Sequence, residues 1–194
     1  MKNNGGQMSL ENKKIGILME ADYYYKEISY YELRFQEQGI KVDFLTRLWG
    51  ASVQKYYDHD YKTIPIEVTK SFENMSDDEL KSYSAIIVPA AIVSDRLRYT
   101  EDVNKIAPAC EFMERAFAEP SIIKGIICHG LWIMSPIKKL VEGRNLTTHN
   151  NLISDAKNMG ANYLDKDLVV DGDLVTARTG DHCNIFASKI IEMI

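Results

Sequence analysis

The run K-G-I-I-C-H-G-L-W-I-M, from Lys124 to Met134, places the strongest candidate for chemistry at Cys128. An apolar stretch leads straight into the cysteine, and an apolar helical stretch follows it. Such a strand-to-helix turn aims its apical side chain into the crevice at the carboxyl edge of a sheet. A thiol held there is a nucleophile once it ionises. Free backbone N–H groups and the positive end of the following helix predict a thiol that ionises readily. His129 is placed to serve as base or counter-charge. Gly130 lets the helix pack close to a neighbouring strand.

Several elements must position that turn. Residues 14–18 read as a short buried strand, 29–38 as a helix stopped by Gly39, and 40–45 as a second strand, the strand–helix–strand order of a parallel sheet. A strand or hairpin is expected near 64–68, and Ser76 with Glu79 predicts a capping box at a short helix. Residues 84–89 and 124–128 read as buried strands, 101–118 as a long amphipathic helix and 131–141 as another. Beyond these, 146–148 predicts a short strand, 152–159 a helix, and 167–170 with 174–177 a hairpin around Asp171-Gly172-Asp173. Residues 183–194 close the chain as a helix. The fold class is therefore α/β: a single-domain sandwich, mainly parallel β-sheet with helices on both faces, of flavodoxin-like type. Residues 1–13 are expected to form a flexible tail, with Met8 a possible alternative start, and 14–194 a single domain.

Composition narrows the function classes. The 194 residues carry a net charge of −5 and no marked basic patch, which argues against nucleic acid as a partner. No stretch of about 20 apolar residues offers a membrane span. The polar N-terminus has no signal-peptide core. The three cysteines are widely spaced and form neither a disulfide framework nor a metal-binding pair, so a reducing cytoplasm is the expected location. No metal or organic cofactor is implied.

From Lys14 onward, the chain resembles the ThiJ/PfpI superfamily, whose fold is that of class I glutamine amidotransferases. The resemblance rests on the I-C-H-G turn, an A-I-I-V-P strand, the segment L-T-T-H and the run V-V-D-G-D-L-V-T-A-R, in that order. It implies a nucleophile at Cys128 with His129 after it. It implies an acid beside the thiol at Glu27, after one extra residue in the loop 22–26, whose carboxyl must be protonated to donate to a thiolate and so should have a raised pKa. Peptidase-type members place a further acid on the elbow histidine across a subunit interface, and here that position is Asp95. The family's P-G-G turn reads P-A-A in this chain. Ala90 or Ala91, together with His129, is therefore expected to supply the backbone donors of an oxyanion hole. His149 falls at a position near the thiol, and Trp132 is expected to wall the pocket or join the core. The late His182-Cys183-Asn184 lacks the carboxylate of an amidotransferase triad.

The resemblance implies a cysteine-dependent hydrolase or glyoxalase III-like enzyme. Its substrate would be a small carbonyl compound or a peptide, and its assembly a homodimer or higher oligomer. A redox-sensing or chaperone-like stress protein using an oxidisable Cys128, and a non-catalytic binding member, are the alternatives. The segment 46–76 is expected to shape the substrate site.

Overall fold

The structure is a computed structural model that describes residues 10–63 and 65–194. Most of the expected tail, the possible start at Met8 and the first residue of the 64–68 strand lie outside the described residues.

Short apolar runs become the central strands. β1 (Lys14–Leu18), β2 (Lys41–Thr46), β6 (Ala85–Val88), β7 (Ile123–Ile127) and β11 (Leu174–Ala177) lie side by side and parallel, joined at the edges by β5 (Lys70–Ser71) and β10 (Leu168–Asp171). The seven-stranded order is β10-β11-β7-β6-β1-β2-β5, with β10 alone antiparallel, paired to β11 across the Asp171–Leu174 turn. The middle strands are buried along their whole length, which is why they read as continuous apolar runs without alternation. A separate antiparallel pair joins β3 (Gln54–Tyr56) to β4 (Ile66–Val68), the hairpin expected near that point. The expected 146–148 strand is only β8 (Asn145–Leu146), which pairs with β9 (Asn162–Tyr163).

The helices surround the sheet. α1 (Tyr25–Gln36) packs on α6 (Cys183–Met193), and α6 lies against β7 and β11. At Gly125 an added Cβ would strike the Phe186 ring at 2.6 Å, so this glycine sets how closely α6 approaches the sheet. α4 (Pro108–Phe117) and α3 (Val93–Leu97) both pack on the segment Cys128–Leu140. α2 (Asp77–Lys81) starts where Ser76 accepts a hydrogen bond from the Glu79 N–H, and α5 (Ile153–Asn158) follows a short 3₁₀ turn.

Three helices differ from the sequence expectation. α1 begins four residues before residue 29, because Glu27 and Ile28 belong to its buried face with Tyr31 and Phe35. A glutamate on an inward face hides the apolar period. The helix expected over 101–118 spans only 108–117. Pro108 supplies its preset first turn, and the preceding residues form turns rather than helix. The 131–141 helix begins at Cys128 itself and is wound as 3₁₀, with non-helical backbone at Ile137 after Pro136.

Candidate active site

In the sheet order, β1 lies beside β6, β6 beside β7 and β7 beside β11. The chain turns away from β1 to opposite sides, toward β2 and toward β6. Parallel sheets open a crevice at such a reversal, outside the carboxyl ends of the strands. The segments following these four strands carry Glu27, Ala90 and Ala91, Cys128 and His129, and Gly180 respectively.

Cys128 sits where β7 ends, with a left-handed backbone of φ 59°. For a residue with a Cβ this conformation costs about 1–2 kcal/mol, and it persists only where the surroundings hold it. The holding groups are visible. Thr148 donates its hydroxyl to the Cys128 carbonyl at 2.8 Å, and Ser94 donates to the His129 carbonyl at 2.7 Å. At Gly130 an added Cβ would lie 2.7 Å from the Val88 carbonyl oxygen, so the turn closes against the end of β6 only because no side chain is there.

Cys128 is 7% exposed. His129 Nδ1 stands 3.4 Å from the sulfur. The backbone N–H groups of Gly180, His129 and Ala91 face the sulfur and favour its thiolate. Burial outweighs them and pushes the Cys128 pKa up. The expectation of a readily ionised thiol is thereby corrected: a 3₁₀ start in a desolvated pocket compensates the charge incompletely. Burial, followed by the neighbouring His149, lowers the pKa of His129, so its imidazole is neutral and able to accept a proton.

Glu27 is fully buried, and desolvation pushes its pKa up to about 8 from an ordinary 4.5. The raised pKa expected there is present. Its Oε2 accepts the Ala90 N–H at 2.9 Å, whereas Oε1 has no hydrogen-bond partner. No hydrogen bond joins Glu27 to the sulfur, although its charge would act on the thiol. The Tyr31 hydroxyl lies near enough to influence the carboxyl, but no bond of ordinary geometry links them.

Of the two alanines in the turn after β6, Ala90 spends its N–H on Glu27 and Ala91 directs its N–H at the sulfur. Ala91 has φ 62°, the left-handed conformation a glycine would adopt freely. Asp95 lies on α3, and its carboxylate pairs with Arg98 at 3.2 Å. No hydrogen bond ties it to His129 within the chain, because the i,i+3 spacing on α3 offers it a guanidinium first. His149 stacks on His129 with centroids 4.5 Å apart, and its Nδ1 accepts the Asn151 N–H at 3.2 Å, so its proton resides on Nε2. Trp132 meets the His129 ring edge-on at 5.2 Å. His182 is engaged in capping with Thr179.

A cavity of about 530 Å³ opens beside the elbow, lined by His59, Ala91, Ile92, Asp95, His129 and Trp132. Two of its residues were not read from the sequence as parts of a site: His59 and Ile92. Gly180 was missed as well. It arrives through the parallel pairing of β11 with β7, from Leu174 opposite Lys124 to Ala177 opposite Ile127. Its closeness has a sequence-level cause, since an added Cβ would strike the Tyr24 ring at 2.5 Å. Among the described residues, no group of three or more His, Cys, Asp or Glu side chains is arranged to hold a metal ion, and no helix is long and apolar enough to cross a membrane.

The fold and the turn define an α/β protein with a buried cysteine at a strained strand end, a histidine on its sulfur and a fully buried glutamate close by. The chain belongs to the DJ-1/PfpI family, whose model matches residues 13–193. It is 25% identical over 183 residues to the putative cysteine protease YraA of Bacillus subtilis, covering 94% of this chain and 99% of that one. It is 27% identical over 165 residues to the deglycase PfpI of Pyrococcus furiosus, covering 85% and 89%. Among solved structures it is similar to a two-domain protein of Anabaena variabilis containing DJ-1/ThiJ/PfpI-like and ferritin-like domains. That match has a TM-score of 0.79 and 24% identity over 93% of this chain, and the chain spans 47% of the two-domain protein.

Proposed function

We propose that this protein is a cysteine-dependent enzyme acting on small carbonyl compounds, of the glyoxalase III or deglycase type, with Cys128 as nucleophile. The observation that carries the reading is the His129 Nδ1 held 3.4 Å from the Cys128 sulfur, at the edge of the cavity. In the reaction with methylglyoxal, the sulfur forms a bond to the aldehyde carbon. The thiol proton passes through His129 to the carbonyl oxygen, giving a hemithioacetal. His129 then moves the proton from that carbon to the neighbouring one through an enediol, the hydroxyl proton passes to the neighbouring oxygen, and the product is a lactoyl thioester. One water cleaves the thioester to lactate and restores the thiol.

Glu27 serves as the neutral carboxyl that keeps a second negative charge away from the thiolate. The N–H groups of Ala91 and His129 flank the carbon–sulfur bond as negative charge develops on oxygen. The family's peptidase-type arrangement calls for an acid on the elbow histidine, supplied by a second copy in a homodimer. The engagement of Asp95 by Arg98 favours small carbonyl substrates over that variant. Lactate formation from methylglyoxal is the direct test. Cys128→Ala is expected to lower it by more than about a thousandfold, as removal of a nucleophile does. A Cys128→Ala protein that keeps the wild-type rate would dismiss the reading.

A further inference from the structure

The cavity has a far wall that the chemistry above does not use. Its polar side chains are His129, Asp95 and His59. His59 comes from the segment between β3 and β4, and its side chain is exposed. The backbone beneath it is fixed. The His59 N–H donates to the Tyr23 carbonyl at 2.8 Å, and the Asp22 N–H donates to the Tyr57 carbonyl at 2.9 Å. The buried Asp58 carboxylate accepts the Tyr61 N–H at 2.6 Å and the Lys62 N–H at 2.9 Å. The exposed imidazole is thus mounted on a loop anchored to the connection between β1 and α1, just before Glu27, a preorganised arrangement suited to contacting a ligand.

A second cavity, of about 340 Å³, adjoins these same segments. It is lined by Ala21, Asp22, Lys55, Tyr57, Lys62 and Arg96. Tyr57 faces this cavity while His59 faces the first, and Arg96 faces it while Asp95 faces the first. Asp22 is 7% exposed with φ 61°, and it pairs with both Lys62 and Arg96. One carboxylate therefore holds two cations in the second cavity. Lys55 is matched by Glu67 at 2.7 Å. The guanidinium and the ammonium, each about half exposed, retain further donors for a ligand.

We propose that His59, backed by Arg96 and Lys62, is a specificity-determining anion subsite that selects carbonyl compounds bearing a carboxylate. The proposal rests on Cys128 being the reacting group beside this cavity, next to its lining residue His129, and it deepens that reading by naming the substrate class. Two imidazoles then divide the work. His129 serves the thiol, and His59 receives the far end of the substrate, where a charge-assisted bond fixes its orientation.

Alkylation of Cys128 tests this independently of turnover. Iodoacetate and iodoacetamide are nearly the same size and differ in charge. In both, the sulfur displaces iodide, a carbon–sulfur bond forms and the thiol proton is released to buffer. The rates at Cys128 are read by peptide mass spectrometry on the full chain, and the iodoacetate-to-iodoacetamide ratio is compared between proteins. His59→Gln and Arg96→Gln are each expected to lower that ratio by roughly three- to tenfold, the loss of one charge-assisted bond, with the iodoacetamide rate little changed. Added salt is expected to lower the wild-type ratio. An unchanged ratio in both variants overturns the proposal. So does an equal fall of both rates, which would assign His59 to the thiol instead. Absence of methylglyoxal turnover with the ratio shift intact would reject the enzyme reading alone.

Discussion

Strand β7 has Lys124 next to its start and Cys128 just past its end, and its two ends are built on opposite principles. At its start, Lys124 is fully buried, yet its ammonium is satisfied by Asp173 at 2.5 Å and by the Glu119 carbonyl at 2.9 Å. Arg144 reaches the same Asp173 at 2.8 Å and also pairs with Asp171, so the network fastens the β10–β11 hairpin to the strand. At the other end, Cys128 and Ala91 both carry left-handed backbone, and Glu27 Oε1 is buried without a partner. One end completes its hydrogen bonds, and the other leaves a proton-binding oxygen and two strained residues around a cavity. Strain and unsatisfied groups gather where a ligand is to be bound and are balanced by order elsewhere.

The satisfied end is the place where removing one group has the largest effect on stability. Asp173→Ala leaves the buried Lys124 ammonium without its carboxylate, and we expect about 3–5 kcal/mol of destabilisation, measured by urea unfolding. A loss below about 1 kcal/mol would show that the contrast between the two ends is misplaced.

The cysteine end is expected to respond to pH. Glu27 has a folded pKa of about 8 against an ordinary 4.5, so the folded chain holds a proton that the unfolded chain releases. Its contribution to stability is fully present below the unfolded value and is lost as pH rises toward the folded one. Wild type should therefore lose on the order of 3 kcal/mol from this group between pH 5 and 8. Glu27→Gln should flatten that slope, and equal slopes in the two proteins would mean that Glu27 is not held neutral. The smallest effect is expected at Ala91, where Ala91→Gly relieves the left-handed backbone and should raise stability by about 1 kcal/mol, read as an upward shift in Tm.

What the sequence revealed follows from how local each signal is. The apolar runs of β1, β6 and β7, the Asp171–Asp173 turn and the Cys128 elbow are each written in a few adjacent residues, and each stands where it was expected. Glu27 was found through resemblance alone, since a glutamate in the first turn of a helix otherwise reads as solvated. α3 was invisible because its five residues fall inside a polar stretch whose pattern a longer downstream helix dominates. His59 and Gly180 enter the site through strand pairing across long sequence separations, which no local pattern encodes. The ionisation of Cys128 depends on how deeply the turn is buried, and that depth is set by tertiary packing.

The amides that face the sulfur belong to Ala91, His129 and Gly180, three segments that leave the ribosome at different times. Gly180 follows β11, so it cannot take its place until the hairpin beyond β7 has docked. A nascent chain that has already exposed Cys128 carries an ordinary thiol, without the donors or the closed pocket. The surroundings that set the ionisation of Cys128, burial and amides together, therefore belong to the completed sheet, and the order of synthesis withholds them from every shorter folding intermediate.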